Sequence, residues 1–391
     1  MKIAQIASPW IAVPPTTYGG TEGMLYNLIE EQIAQGHDVT LFAPGDARTS
    51  AQHISFFDQS LIDAGVPWQA HLKAFYHYYK AVEYINAHVF DIAHIHLSSA
   101  SDMYLYPLLH ASGMPVISTL HSRFPFDVVD SWHGDADDYY LGWLTSVPLV
   151  VISESALVDV PYHLNFLDVI HHGLPLKQIV PTVERPDDFF VWLGRLFPVK
   201  GVHLAIEAAK RAGVPLVLAG TIDQHTSESV DYFERMIRPQ LDDQQIRYIG
   251  PVGTEQKIDL LSRARGLLNP IRWNEPFGMV MIEAMAVGCP VISFVRGAAP
   301  ELVCHGESGF LVHDVDEMVS YISKVGTLDR HIVRKYVEKH FSVEKMVEKY
   351  IRAYRKVITE HQRKNASPAV SLQIPLSSMS VLSTPEQMRL F

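Results

Sequence analysis

Residues 274–292 read NEPFGMVMIEAMAVGCPVI. Pro276 and Gly278 mark a turn, the run from Met279 to Val287 is mostly apolar, Gly288 stops it, and PVI resumes as a strand. A helix leading directly into a short buried strand is half of a parallel α/β unit, because parallel strands need a crossover between them. Two carboxylates interrupt this pattern. Glu275 lies in the polar loop, and Glu283 lies inside a run expected to be wholly buried. Carboxylates are seldom fully buried without a partner, so each must be there for something.

The same alternation continues in both directions. KIAQIA (2–7) and HDVTLFAP (37–44) have strand character, and TEGMLYNLIEEQIAQG between them carries Leu25, Leu28, Ile29 and Ile33 at helical spacing. Strand, helix, strand predicts a right-handed parallel unit. Helices around 69–88 and 101–112 alternate with strands DIAHIH (91–96), PVISTLH (115–121), PLVVIS (148–153) and DVIHHG (168–173). VPTVERPDD (180–188) is rich in Pro and charge and reads as a linker. The alternation then restarts with strands FFVWLGR (189–195), PLVLAG (215–220), IRYIG (246–250), GLLNPI (266–271), PVISF (290–294) and GFLV (309–312). Helices are expected over 201–213, near 228–241 and near 254–264. The expectation is two doubly wound halves, 1–180 and 181–342, facing a cleft. An amphipathic helix follows over 343–363, with Val343, Met346, Val347, Tyr350, Ile351, Tyr354, Val357 and Ile358 on one face, and then a disordered tail over 364–391.

Composition narrows the function. With 391 residues, 48% of them apolar, two cores can form. A net charge of −11 argues against nucleic acid as a partner. Cys289 and Cys304 alone make no disulfide framework and suit a reducing compartment. Pro9 breaks the first apolar run, so no signal-peptide pattern is present, and no stretch reaches the length of a membrane span. The expected location is the cytoplasm, with peripheral contact at the inner membrane face left open. The oligomeric state is not readable.

In facing α/β sheets, ligands sit at the C-terminal strand ends. There, GRLFPVKG places Arg195 and Lys200 on a turn between strand and helix, where two cations can converge on a phosphate; two solvated surface charges are the alternative. The amides of Gly278, Met279 and Val280 open the helix of the first stretch, and a helix N-terminus is a ready phosphate site. Glu275, repelled by phosphate, suits the hydroxyls of a hexose, and Glu283 the diol of a ribose. The alternative for Glu283 is a buried ion pair with a local Arg. His94 and His96 share a strand face, but two histidines without a third ligand favour packing or an acceptor contact over a metal. The acidic runs DADD (135–138) and LDD (241–243) read as polar loop or helix-end residues.

Glu275 and Glu283 form an E-x7-E motif. With GRLFPVKG before it and GAAPELV and GESGFLV after it, the chain resembles the retaining glycosyltransferases of family 4 over roughly residues 1–360. The resemblance implies a GT-B fold, with the acceptor on the N-terminal half and a nucleotide diphosphate sugar on the C-terminal half. It implies that Arg195 and Lys200 hold the donor diphosphate, that Glu275 binds donor-sugar hydroxyls, and that Glu283 binds the ribose. The amides from Phe277 through Gly278 and Met279 to Val280 would hold sugar hydroxyl and phosphate. YGGTE (18–22) matches the family's glycine loop, which places Gly19 and Gly20 near the phosphates or acceptor and Glu22 beside them. STLH (118–121) matches the strand-end histidine, which places His121 against the reacting sugar; His96 is a candidate on the acceptor side. The C-terminal helix would cross back to the first half. Two places depart from the family: HHGLPL (171–176) replaces Asn-Gly-Val-Asp, so that turn receives no role, and RGAAPE (296–301) has alanines where a second Gly is common.

The implied reaction moves a hexose, from UDP-glucose or GDP-mannose first in line, to a hydroxyl of a sugar, lipid-linked or small-molecule acceptor, with retention. It requires no metal or other cofactor. A dinucleotide oxidoreductase is disfavoured, since SPWIAVPPTTYGGTEG (8–23) holds no G-x-G-x-x-G. A nucleotide-sugar epimerase, a glycogen-synthase type and a non-catalytic nucleotide-sugar-binding protein are the nearer rivals. The aromatic stretch FPFDVVDSWHGDADDYYLGW (124–143) suits an acceptor pocket, or packing equally well.

Overall fold

The computed structural model describes all residues except 17–18, 99, 111, 123–147, 159–163, 225 and 367–391, and leaves the side chains of residues 100, 103, 106 and 110 undescribed. The aromatic stretch 124–143, the DADD run and most of the expected tail fall outside the described residues.

Seven strands form the first sheet: β1 Lys2–Ile6, β2 Asp38–Phe42, β3 Gln52–Ile54, β4 Ile92–Leu97, β5 Val116–Leu120, β6 Leu149–Val151 and β7 Phe166–Val169. Six form the second: β8 Phe190–Leu193, β9 Leu216–Ala219, β10 Ile246–Tyr248, β11 Leu267–Asn269, β12 Val291–Phe294 and β13 Gly309–Val312. All pairings between them are parallel. The strand orders are β3-β2-β1-β4-β5-β6-β7 and β10-β9-β8-β11-β12-β13. Each sheet therefore reverses direction once, between β1 and β4 in the first and between β8 and β11 in the second. Those switch points leave a crevice above the strand ends.

The central strands are buried on both faces because helices cover both sides. In the first half Leu25, Leu28 and Ile29 of the helix Gly20–Ala34 pack on one face, and Ala74, Tyr78, Ala81 and Ile85 of the helix His71–Ala87 on the other. The C-terminal helix Val343–Ala366 joins the first group. Val343, Met346, Val347, Tyr350, Ile351, Tyr354 and Val357 are buried there, and Ile358 is partly buried. That helix follows the second sheet in sequence and packs on the first, as the family resemblance implied; the spacing of its apolar residues gave only the face it buries.

Several boundaries differ from the sequence reading. β7 ends at Val169 rather than running to 173, because the chain leaves the sheet at His171 and Leu174 bridges to Ser342 instead. The helix expected near 228–241 is α-helical over Ser227–Tyr232, widens to a π turn over Phe233–Ile237 and tightens to 3₁₀ over Arg238–Gln240, where Pro239 removes an amide donor. β3 was not anticipated: its polar QHI shows no alternation. Residues 364–366, assigned to the disordered tail, belong to the last helix. Arg363 and Lys364 occupy its final turn, where cations favour the helix dipole. Among the described residues no helix is long and apolar enough to cross a membrane.

Candidate functional site

The second switch point sets two loops side by side. The loop after β8 carries Arg195 and Lys200, and the loop after β11 carries Trp273, Glu275 and Phe277. Their approach depends on Gly201, in left-handed backbone at φ 72°: a Cβ there would fall 2.0 Å from the Pro270 carbonyl oxygen. The Arg272 amide donates to the Val199 carbonyl at 2.8 Å and fastens the loops together. A third loop, after β12, closes the group. Its Gly297 lies so near Glu275 that a Cβ would sit 2.3 Å from the Glu275 nitrogen, and the Ala298 amide donates to the Glu275 carbonyl at 3.0 Å. Ala298 itself has φ −78°, so alanine is tolerated at that place.

Lys200 and Glu275 form an ion pair through Nζ and Oε2. The Trp273 indole N–H donates to the same oxygen at 3.0 Å, and the ammonium stands 5.1 Å from the Trp273 ring centroid. Thus the expected convergence of Arg195 and Lys200 on one anion takes another form here: Lys200 is held by Glu275, and the Arg195 guanidinium lies over the Phe197 ring at 5.5 Å. Gly278 caps the helix Met279–Ala286; the Met281 amide donates to the Gly278 carbonyl at 3.0 Å, and the amides before it open at this loop cluster.

Glu283 is not wholly buried, as the apolar run had suggested. Its side chain is partly exposed and takes a 2.6 Å ion pair from Lys257, on the helix Thr254–Arg263. The partner is a lysine from the element after β10, rather than an Arg, and no sequence spacing connects the two residues. One carboxylate oxygen is engaged by that bond.

The first sheet contributes a chain of buried histidines. His121, at the end of β5, shares a 2.9 Å hydrogen bond between its Nε2 and His96 Nδ1. His96 Nε2 meets Gln5 Oε1 at 2.8 Å. His94 bridges the Tyr354 hydroxyl and Thr119 Oγ1, both at 2.7 Å. Burial holds all three imidazoles well below the ordinary histidine pKa, and their mutual proximity adds to the effect, so they are neutral. His96 therefore stands behind His121 with both ring nitrogens engaged inside the protein, not exposed toward an acceptor. His94 and His96 are hydrogen-bonded in a network rather than poised as a ligand pair.

Glu22 sits in the first turn after Gly19 and Gly20 and is almost fully buried. Burial pushes its carboxyl up to about 7, against a lowering by its own backbone amide and a further rise from Asp102. A carboxyl that titrates near neutrality beside a glycine loop can take or give a proton.

The two halves meet directly beside these groups. The Ser153 hydroxyl donates to the Pro276 carbonyl at 2.5 Å. Glu301 accepts the amides of Glu154 and Ser155, each at 2.8 Å, and His171 Nε2 lies 3.1 Å away. Burial would raise the Glu301 carboxyl, but His171 and the two amides together hold it below the ordinary value. His172 stacks on His121 at 5.3 Å and contacts the Phe277 ring at 4.8 Å, and so links the β5 end to the β11 loop. The turn left without a role thus bridges the two sheets. Sequence reasoning missed Lys257, Trp273, Glu301, His172 and Gln5. Of these only Gln5 carried a signal, a lone amide inside an apolar strand.

Two facing parallel α/β units with the site between them, and a last helix returning to the first unit, make this a GT-B architecture. The chain belongs to the glycosyltransferases: residues 178–359 match the family model of glycosyl transferases group 1, and residues 18–158 that of glycosyltransferase family 4. It is 26% identical to a D-inositol 3-phosphate glycosyltransferase of Mycolicibacterium smegmatis over 52% of this chain and 50% of that one, so the match spans half of that relative's length. It is 24% identical to the O-antigen chain mannosyltransferase C of Escherichia coli, over 87% of this chain and 95% of that one. The fold superposes on the Anabaena protein HepE in complex with UDP and glucose with a TM-score of 0.67, at 18% identity, covering 91% of this chain and 99% of the other.

Proposed function

We propose that this protein transfers a hexose, with retention, from a nucleoside diphosphate sugar to a hydroxyl of a sugar, lipid-linked or small-molecule acceptor. UDP-glucose and GDP-mannose are the first donors to test. The observation that carries this reading is the meeting, at the second switch point, of Lys200, Glu275 and the N-terminus of the helix Met279–Ala286. In this reading a diphosphate lies against Arg195, Lys200 and the amides from Phe277 to Val280, and Gly19 and Gly20 close over it from the first half. Glu275 accepts from the sugar's hydroxyls, Glu283 from the ribose through the oxygen that Lys257 leaves open, and His121 stands against the sugar.

The bond between the anomeric carbon and the β-phosphate oxygen breaks, with its electron pair going to that oxygen. Fixed cations and helix amides stabilise the charge as it develops, without reorganising. The acceptor hydroxyl attacks from the face the phosphate leaves, its proton passes to the departing phosphate oxygen, and no protein nucleophile or metal is required. In this reading Glu22, whose carboxyl burial pushes up to about 7, serves the acceptor side. The names of the relatives and the UDP and glucose bound by the structural neighbour support the reading.

Peripheral contact with a membrane carrying the acceptor would lie on the helix His71–Ala87, where Leu72, Phe75, Tyr76 and Tyr79 form an exposed row at helical spacing. Incubation of the purified protein with UDP- and GDP-sugars, scored by hydrolysis or thermal stabilisation, tests the function. If no sugar nucleotide raises Tm or is consumed, the transferase reading is wrong.

A further inference from the structure

His121 has one hydrogen-bonding position that the described residues leave open. Its Nε2 is bonded to His96, while its Nδ1 is buried and without a partner. Whether that open nitrogen is a donor or an acceptor decides what it can bind, and the network behind it settles the question.

Gln5 Nε2 lies 2.9 Å from Gln32 Oε1 and 3.2 Å from the Tyr354 hydroxyl, and Gln32 Nε2 lies 3.1 Å from the same hydroxyl. Tyr354 therefore accepts two amide protons and spends its own on His94 Nδ1. Turning both amides over would aim two carbonyl oxygens at a hydroxyl with a single proton. Turning Gln5 alone would set the two carbonyls against each other, and turning Gln32 alone would set the two amide NH2 groups against each other. Only the first orientation gives every contact a proton, and a buried polar contact without one is costly. Gln5 Oε1 is then an acceptor, so His96 carries its proton on Nε2 and offers a lone pair at Nδ1. His121, neutral, must donate from Nε2 to that lone pair, and its own lone pair is left on Nδ1.

We propose that His96, fixed by Gln5 and by Tyr354 of the C-terminal helix, is a positioning residue that holds His121 in the Nε2–H form, with Nδ1 presented as an acceptor for a hydroxyl of the donor sugar. The proposal rests on the transferase reading for the identity of the hydroxyl, but not for the tautomer. It also gives the returning helix a part in the chemistry, since Tyr354, far along the chain, sets the proton on a residue at the β5 end. His172 stacks on the same ring and leaves its own Nδ1 without a partner, so two imidazoles line this spot.

The test uses the full chain with ¹⁵N-labelled histidine, and the variants His96→Asn and His96→Leu. Asparagine can place an oxygen where Nδ1 was, and leucine cannot. In the wild type the ¹⁵N signals of His121 should show a protonated Nε2 and a bare Nδ1 without any ligand; the opposite tautomer overturns the proposal. Calorimetry then compares UDP with UDP-glucose and GDP with GDP-mannose. His96→Leu should leave the affinity for the bare nucleotide unchanged and lose about tenfold of the gain contributed by the sugar, the size of one neutral hydrogen bond. His96→Asn should restore most of that gain. Equal sugar gains in wild type and His96→Leu overturn the positioning role. A wild type that gains nothing from either sugar refutes these donors instead, and the ¹⁵N spectra still decide the tautomer. Should His96→Leu fail to fold, His96→Asn and the wild-type spectra carry the test.

Discussion

Lys200 and Glu275 neutralise each other across two loops of the second sheet, with side chains only 17% and 18% exposed. At that depth the pair is less screened than a surface bridge, and in the proposed function a donor needs both members: the ammonium for phosphate and the carboxylate for sugar hydroxyls. Donor binding must therefore share or open the pair. Lys200→Ala should weaken nucleoside diphosphate binding and lower kcat by about 10²–10³, by analogy with the loss of an oxyanion donor. Glu275→Gln should lower transfer similarly but leave the ammonium free, so the bare nucleoside diphosphate binds at least as tightly as to the wild type. Calorimetry with UDP and GDP separates the two variants. Weaker diphosphate binding in Glu275→Gln would place that carboxylate in the phosphate site rather than beside the sugar.

Glu283 has one oxygen on Lys257, so in the proposed function a ribose diol can meet only what remains. A charge-assisted hydrogen bond contributes roughly 1.5–3 kcal/mol, which corresponds to about a ten- to hundredfold preference. The wild type should therefore favour UDP over 2′-deoxy-UDP by that range. Glu283→Ala should bind both weakly and alike, and Lys257→Ala should keep the preference while losing stability, since it leaves a half-buried carboxylate unpaired. Equal preference in wild type and Glu283→Ala would return Glu283 to a purely structural ion pair.

The paired halves and the loops that make up the candidate site were legible because they rest on local patterns. Apolar periodicity marked nearly every strand, and Pro276, Gly278 and Gly288 bounded the helix that carries Glu283. What could not be read is pairing between distant residues. Lys257 meets Glu283, and Tyr354 meets His94 and Gln5, through chain crossings that no spacing encodes. His96 was misplaced for the same reason: its position at a strand end was right, but Gln5 and His121 on the neighbouring strands take both its nitrogens. His171 and His172 look like a departure from the family's turn, and only the folded chain shows them touching Glu301 and Phe277.

Gly201 holds the site's two main loops together, and its substitution separates strain from crowding. Gly36 has a similar φ, +83°, but a Cβ there meets nothing within 4 Å. Gly36→Ala should cost only the left-handed backbone penalty, about 1–2 kcal/mol. At Gly201 an added Cβ would fall 2.0 Å from the Pro270 oxygen, so the loop must also move. Gly201→Ala should lower Tm further than Gly36→Ala and weaken nucleotide binding, while Gly36→Ala leaves binding intact. Urea titrations and UDP calorimetry on both variants check this. Identical losses would show that the loop contact is not what holds the site.

The buried carboxyl and the buried imidazoles act on stability with opposite signs. His77 and His172 are pushed by burial to about 4 and about 3, from an ordinary 6.5, and His94, His96 and His121 also lie well below it. The unfolded chain takes up their protons first as pH falls, so stability is lost progressively below about pH 6.5, by roughly 1.4 kcal/mol per histidine per pH unit until each folded pKa is reached. Glu22 does the reverse. Its folded carboxyl keeps a proton up to about 7 while the unfolded one releases it near 4.5, so its contribution declines as pH rises between those values and levels off above them. A comparison with Glu22→Gln cancels the histidines, which both proteins share. The variant's stability advantage over the wild type should widen by about 1 kcal/mol between about pH 6 and pH 8, in urea unfolding at each pH. If Glu22 also serves the acceptor, Glu22→Gln will lower kcat at the pH where its stability advantage is greatest. A difference that stays constant with pH would mean that Glu22 is ionised throughout this range.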